Sequence, residues 1–183
     1  MKGAQGSLWL TADAAISPCG RYRTRLRRVW AEDEPSCVFI GLNPSTADGT
    51  TDDPTIRRCV AFARRWDYGS LVMVNLYGYR SPEPAALWPR WPMSALDPTG
   101  GDPIGPDALL WSSCREAGIV IAAWGTFPKA ALRAQVVMDV LHQDGVPLHV
   151  LGLTADGSPR HPLYIRADVR PQLWKPGRPR DAG

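Results

Sequence analysis

The 183-residue sequence has no long hydrophobic run, no paired cysteines and no internal repeat. A membrane-spanning helix needs roughly 20 consecutive apolar residues, and no stretch here approaches that length. The opening residues MKGAQGSLWLTADAA lack a charged stretch followed by a long apolar core, so no targeting segment is expected and the predicted compartment is the cytoplasm. The four cysteines, Cys19, Cys37, Cys59 and Cys114, contain no Cys-x-x-Cys pair, which argues against both a disulfide framework and a zinc site. The three histidines, His142, His149 and His161, are not a helical turn apart and have no carboxylate cluster beside them. No metal and no other cofactor is expected.

Excess charge is also scarce: 21 Lys and Arg against 18 Asp and Glu leave a net charge of +3. Its distribution is uneven, with arginines crowded in residues 21–28, 57–65 and 160–180. Clustered basic side chains suit phosphates and make DNA or a nucleotide a candidate partner, although each cluster alone also reads as a solvated face. The length fits one domain, since chains usually split only beyond about 250 residues. The sequence predicts a single domain over residues 1–170, a monomer, and a flexible basic tail over residues 171–183, where PQLWKPGRPRDAG is too rich in proline, glycine and charge to pack.

Residues 22–30, YRTRLRRVW, alternate as a strand with one wet face, placing Tyr22, Thr24 and Leu26 inward, with a slip at Arg28. The expected partner in an edge hairpin is residues 7–10. Residues 37–42, CVFIGL, form a short apolar run that stops at Asn43-Pro44, a buried strand ending in a turn. Asp53-Pro54-Thr55 then offers an N-cap and a first-turn proline, followed by Ile56, Cys59, Val60, Ala63 and Trp66 at helical spacing. Residues 71–76, LVMVNL, are a second buried strand, joined to the first by a right-handed parallel crossover. Residues 79–106, rich in proline, tryptophan and glycine and holding Trp88 and Trp91, read as a packed or functional surface loop. Helices are expected at 108–116 and 129–141, and strands at 119–123 and 147–151.

The predicted architecture is α/β: a three-layer α/β/α arrangement around a short, central, mostly parallel four-stranded sheet, with an N-terminal β-hairpin. Ligands of such sheets bind beyond the carboxyl ends of the strands, where the polar oddities of this sequence collect. Asn43 closes the first strand, with Ser45 and Thr46 after it, and Asn75 closes the apolar run Val72-Met73-Val74. A buried amide loses hydration worth about 1–3 kcal/mol unless it finds partners, and because it both donates and accepts it can read a nucleobase edge. Trp124-Gly125 ends the third strand, with Thr126 available to cap the next helix. The fourth runs into Ser158-Pro159-Arg160-His161-Pro162-Leu163. Each piece alone also has an ordinary structural reading as a turn, a packed side chain or a satisfied amide.

In this order the four pieces resemble the uracil-DNA glycosylase superfamily. Gly41-Leu42-Asn43-Pro44 resembles its water-activating Gly-x-Asp/Asn-Pro motif, closest to the mismatch-specific branch. Asn75 resembles the residue that recognises uracil, and His161-Pro162-Leu163 the last motif, His-Pro-Ser-Pro-Leu. The strings NPSTADGTTDDPTIRRC, VNLYGYR, WG and HPLY also look like a bacterial and phage family catalogued as a domain of unknown function. The resemblance implies a DNA glycosylase that flips a uracil or modified base out of the stack and hydrolyses its N-glycosidic bond. It would use Asn43 to hold water and His161 to stabilise the departing base. Leu42, Asn75, Tyr77 and Trp124 would contact the base, and Ser45, Thr46, Arg57, Arg58, Ser158 and Arg160 the phosphates. Asn43 is not a carboxylate base, no serine directly follows His161-Pro162, and no aromatic residue follows Asn43-Pro44, so Tyr77, Tyr79 or the tryptophan loop would stack on the base. The alternatives are a non-catalytic module of the same fold that binds a nucleotide or DNA, and an enzyme acting on free modified nucleotides.

Overall fold

The computed structural model describes residues 9–88 and 106–175. In chain order it comprises β1 (Thr11–Ile16), β2 (Arg23–Val29), β3 (Ser36–Gly41), α1 (Pro54–Arg65), β4 (Ser70–Asn75), α2 (Pro106–Arg115), β5 (Ile119–Ala122), α3 (Ala131–Gln143), β6 (Leu148–Val150) and β7 (Gln172–Leu173). The strands form one mixed seven-stranded sheet in the order β1-β2-β4-β3-β5-β6-β7, not a four-stranded one. β4, β3, β5 and β6 run parallel, while β1, β2 and β7 join antiparallel at the two edges. The N-terminal hairpin was expected, but a strand pattern read from sequence does not show which neighbour completes the ladder, so the pairing of β2 with β4 and the addition of β7 were not foreseen.

The hairpin partner of β2 is Thr11–Ile16, with Thr11 opposite Val29. Of the expected segment 7–10, residues 7 and 8 lie outside the described residues, and Leu10 contributes one amide, bonded to Val29 O at 2.8 Å. At the other edge β7 pairs with β6, and Trp174 donates its amide to Leu148 O at 2.8 Å and packs against Trp124, ring centroids 5.8 Å apart. The start of the expected tail is therefore ordered: an open β6 edge offers unpaired backbone groups, and Trp174 has apolar area to bury. Residues 176–183 lie outside the described residues, as do 89–105, which include Trp91.

Side chains alternate across the sheet, so its two faces carry two cores. Phe39, Leu71, Met73 and Ile121 meet Ile56, Cys59, Phe62 and Ala63 of α1, with Trp66 stacked on Phe62 at 5.1 Å. On the opposite face Val38, Ile40, Val74 and Ala122 meet Leu110 and Cys114 of α2 and Ala134, Val137 and Leu141 of α3. Each buried Val, Leu, Ile, Phe or Met side chain contributes about 1.5–3 kcal/mol by leaving water. All four cysteines are free. Burial pushes the Cys37 and Cys59 thiols well above their ordinary value and Cys114 to about 12, which makes all three packing residues at neutral pH. Among the described residues no helix is long and apolar enough to cross a membrane.

The loop between β3 and α1 is held from beneath by β2. Arg28, 0% exposed, pairs with Asp52 at 2.7 Å and donates to Asp48 O at 2.6 Å and Arg27 O at 2.9 Å. Arg23 donates to Ala47 O at 2.8 Å. Within the loop the Asp48 carboxylate accepts the Thr50 and Thr51 amides, both at 2.8 Å, which lowers its pKa. Asp53 then caps α1 by accepting the Ile56 amide at 2.9 Å, ahead of the first-turn Pro54. Removing Asp52 would leave the Arg28 charge buried without its counter-ion, so Asp52→Ala should destabilise the fold by about 3 kcal/mol. The expected result is a lower urea midpoint at unchanged slope; an unchanged midpoint would show that the ion pair contributes nothing net.

Candidate functional site

A cavity of about 690 Å³ opens at the carboxyl ends of β3, β4 and β5, the size range of small-ligand pockets. The loops after β3 and β6 and the first turn of α1 close its sides. Of the residues singled out from sequence, Leu42, Asn43, Ser45, Thr46, Asn75, Trp124, Arg160 and His161 line it together. Residues from four segments far apart in sequence thus converge on one wall.

Five others are elsewhere. Tyr77 lies past the end of β4 on the face carrying α2 and α3, edge-on to Trp88 at 5.7 Å, and burial raises its hydroxyl pKa. Tyr79 packs edge-on against Tyr22 at 5.8 Å. Arg57 donates to Asp52 O, while Arg58 donates to Ile165 O and lies 4.8 Å over the Phe62 ring. These two arginines fasten α1 to its neighbouring loops. Ser158 closes the turn that carries Asp156, its carbonyl accepting the Thr154 amide at 2.9 Å and its own amide meeting Asp156 at 3.2 Å. Thr126 does not cap α3, which follows a short helical turn at Pro128–Ala130; its hydroxyl bonds Thr154 and Asp156 across the mouth of the cavity. The aromatic side chains that line the cavity besides Trp124 are Phe127 and Tyr164.

Asn75 is 5% exposed, and its amide nitrogen is buried with no hydrogen-bond partner among the described residues. Its Oδ1 lies against Gly41, where an added Cβ would come within 2.7 Å, so only glycine at position 41 leaves room for the amide in this orientation. An orphaned buried amide costs about 1–3 kcal/mol. Asn43, by contrast, is committed: its Nδ2 donates to Ser81 O at 2.9 Å, Pro44 O at 3.1 Å and Tyr79 O at 3.3 Å. It ties the segment after β4 to the end of β3, and only its Oδ1 remains for water or ligand.

His161 precedes the helical turn Pro162–Tyr164, and its Nδ1 accepts the Leu163 amide in a long bond of 3.4 Å. That bond favours the tautomer with the proton on Nε2, a donor. Burial lowers the pKa of His161, with the Asp53 carboxylate opposing, so the ring is neutral at pH 7. The Gly125 amide donates to Pro159 O at 2.9 Å and couples the end of β5 to the His161 loop. Gly125 has φ of 77°, a left-handed conformation that a side chain would strain.

Two wall residues escaped the sequence reading. Asp53, 9% exposed, is the one carboxylate lining the cavity among the described residues. As an N-cap its Oδ1 is occupied by Ile56, while Oδ2 makes no hydrogen bond among the described residues. Its signal, Asp before Pro at a helix start, also describes an ordinary cap. Arg23 is 2% exposed, where the alternation predicts a wet side chain. The ladder shifts between Ala15 and Ile16, which face Arg25 and Arg23, so Thr24 is the extra residue of a bulge. The bulge turns Arg23 inward, and bulges re-aim side chains in this way without marking the sequence. Among the described residues no three His, Cys, Asp or Glu side chains gather as a metal site would need.

The lowered pKa of His161 makes a stability prediction. The unfolded ring, near 6.5, takes up a proton before the folded one does. Its contribution is therefore present above that value and lost as pH falls below it. Urea unfolding of the wild type should lose more stability between about pH 7.5 and 5.5 than unfolding of His161→Gln, since only the former carries this titration. Parallel losses in the two proteins would show that His161 is not desolvated.

No curated protein and no solved structure matches this chain. The family model described as "Protein of unknown function (DUF1643)" matches residues 21–163, a span that begins just before Arg23 and ends just after His161, and so takes in most of the cavity wall. The chain belongs to the DUF1643 family.

Proposed function

We propose that this protein binds a nucleobase in the cavity and hydrolyses the N-glycosidic bond that carries it, acting on a uracil or modified base flipped out of DNA. The observation that carries the reading is Asn75. Asn75 lines a cavity of nucleobase size, its amide nitrogen is buried without a partner among the described residues, and an amide can both donate to and accept from a ligand edge. The resemblance to the uracil-DNA glycosylase superfamily supports it, because residues of all four resembling motifs line the same cavity.

In this reading a water attacks C1′ as the bond from C1′ to the base nitrogen breaks, giving a free base and an abasic sugar. Asn43 Oδ1 accepts one hydrogen bond from the water. Asp53 Oδ2 takes the proton, supplying the carboxylate that Asn43 lacks. His161, neutral, donates from Nε2 to the departing base as negative charge develops on it. Leu42, Trp124 and Phe127 bound the base. Ser45, Thr46 and the exposed Arg160 meet phosphates at the mouth. The other reading, a module that binds a nucleotide without chemistry, predicts affinity without turnover.

The test is alkali-revealed cleavage of labelled oligonucleotides carrying uracil, mismatches or modified pyrimidines, in single and double strands. Asp53→Asn separates the two roles of that residue, since asparagine caps a helix about as well as aspartate. The variant should keep its melting temperature and lose base release by about 100-fold or more. Full activity in Asp53→Asn would remove Asp53 from the chemistry. Binding without base release on any substrate would sink the hydrolase and leave the binding module.

A further inference from the structure

Two arginines of β2 are buried against the same loop, and only one is satisfied. Arg28 has Asp52 and backbone carbonyls around its guanidinium. Among the described residues the Arg23 side chain makes one hydrogen bond, to Ala47 O, its Nε is buried with no partner, and no carboxylate lies in ion-pair contact with it. The difference lies in position, because Arg23 opens onto the cavity and Arg28 is not among the residues lining it.

A guanidinium carries five donors in a planar fork and stays charged at neutral pH. Burial lowers the pKa of Arg23 only to about 10, with Asp53 opposing and Arg80 and Arg28 reinforcing the fall. A charge withdrawn from water with no carboxylate in direct contact is costly, and a ligand anion on the guanidinium would offset that cost. The tether to Ala47 O places the guanidinium next to the Ser45-Thr46 segment, and both of those residues line the same cavity. A forked cation with two neighbouring hydroxyls suits a tetrahedral oxyanion.

We propose that Arg23 forms an anion subsite within the cavity and receives a phosphoryl group of the nucleotide whose base Asn75 reads. The identity of the ligand as a nucleotide rests on the base reading above; the anion subsite does not. The phosphoryl group could belong to a free mononucleotide or to the flipped nucleotide in a strand, and its chemistry at Arg23 is the same.

The first probe is inorganic phosphate. At constant ionic strength it should raise the melting temperature of the wild-type protein and of Arg27→Gln, an exposed control on the same strand away from the cavity, but not that of Arg23→Gln. No stabilisation of the wild type, or equal stabilisation of Arg23→Gln, overturns the proposal. If Arg23→Gln does not fold, wild-type crystals soaked in tungstate decide the matter: an oxyanion on the Arg23 guanidinium supports the subsite, and density elsewhere or nowhere overturns it. Calorimetry with deoxyuridine, its 5′-monophosphate and a short single strand containing deoxyuridine then identifies the source. A charged hydrogen bond of this kind should tighten binding about tenfold or more over the nucleoside. A free nucleotide as the source gives that gain with the monophosphate, and a strand gives it only with the oligonucleotide. If phosphate binds at Arg23 and neither nucleotide ligand binds tighter than phosphate alone, the subsite stands and the base reading falls.

Discussion

Arg28 is buried with its guanidinium on Asp52, and this ion pair joins parts of the chain that are distant in sequence. It links the edge strand β2, the loop that leaves β3, and the N-terminus of α1, since Asp53 caps that helix one residue later. The loop has few apolar side chains to hold it, Leu42, Pro44 and Ala47 being buried. Its shape comes instead from charge and hydrogen bonding: Arg28 on Asp52 and Asp48 O, Arg23 on Ala47 O, and Asp48 on the Thr50 and Thr51 amides. A polar loop over a sheet edge is ordinarily among the least stable parts of a fold. Here buried arginines tie it to the sheet, and one side of the cavity inherits that order.

The opposite constraint operates a few ångströms along the wall. Asn75 and Arg23 are buried as deeply as core leucines, yet each has a donor nitrogen without a partner. A sequence shaped for stability alone would satisfy or remove such groups, because each one left unpaired opposes folding by an amount comparable to a lost hydrogen bond. Gly41 points the same way: its missing side chain makes room for the Asn75 amide and for nothing that stabilises the sheet. The scaffold absorbs this deficit through two well-packed faces, as it does the buried unpartnered nitrogens of Arg25, Arg58, Arg80 and His149 away from the cavity.

Much of the parallel core was legible because its strands are apolar runs ended by turn residues, and because α1 announces itself through Asp53, Pro54 and a helical repeat of buried side chains. Asn43, Asn75, Trp124 and His161 were legible as a group because a parallel arrangement sends the carboxyl ends of its strands to one side. The edges were not. β7 is two residues inside a proline-rich segment, and it exists because β6 needs a neighbour. Tyr77, Arg57 and Arg58 looked like site residues by type, but side-chain direction past the end of β4 and around α1 carries them to other contacts.

The sequence by itself determined the alternation of strand and helix, the N-cap of α1 and the placing of four polar motifs at strand ends, because these follow from local periodicity, turn chemistry and the direction of a parallel sheet. Only the tertiary structure decided that Arg23 faces the cavity, that Asp53 is a wall carboxylate as well as a cap, and that the Asn43 amide nitrogen is committed to backbone carbonyls. Those outcomes depend on a bulge, on a long-range ion pair and on which carbonyls happen to lie within reach. They are set by pairing between distant segments, and no local pattern encodes them.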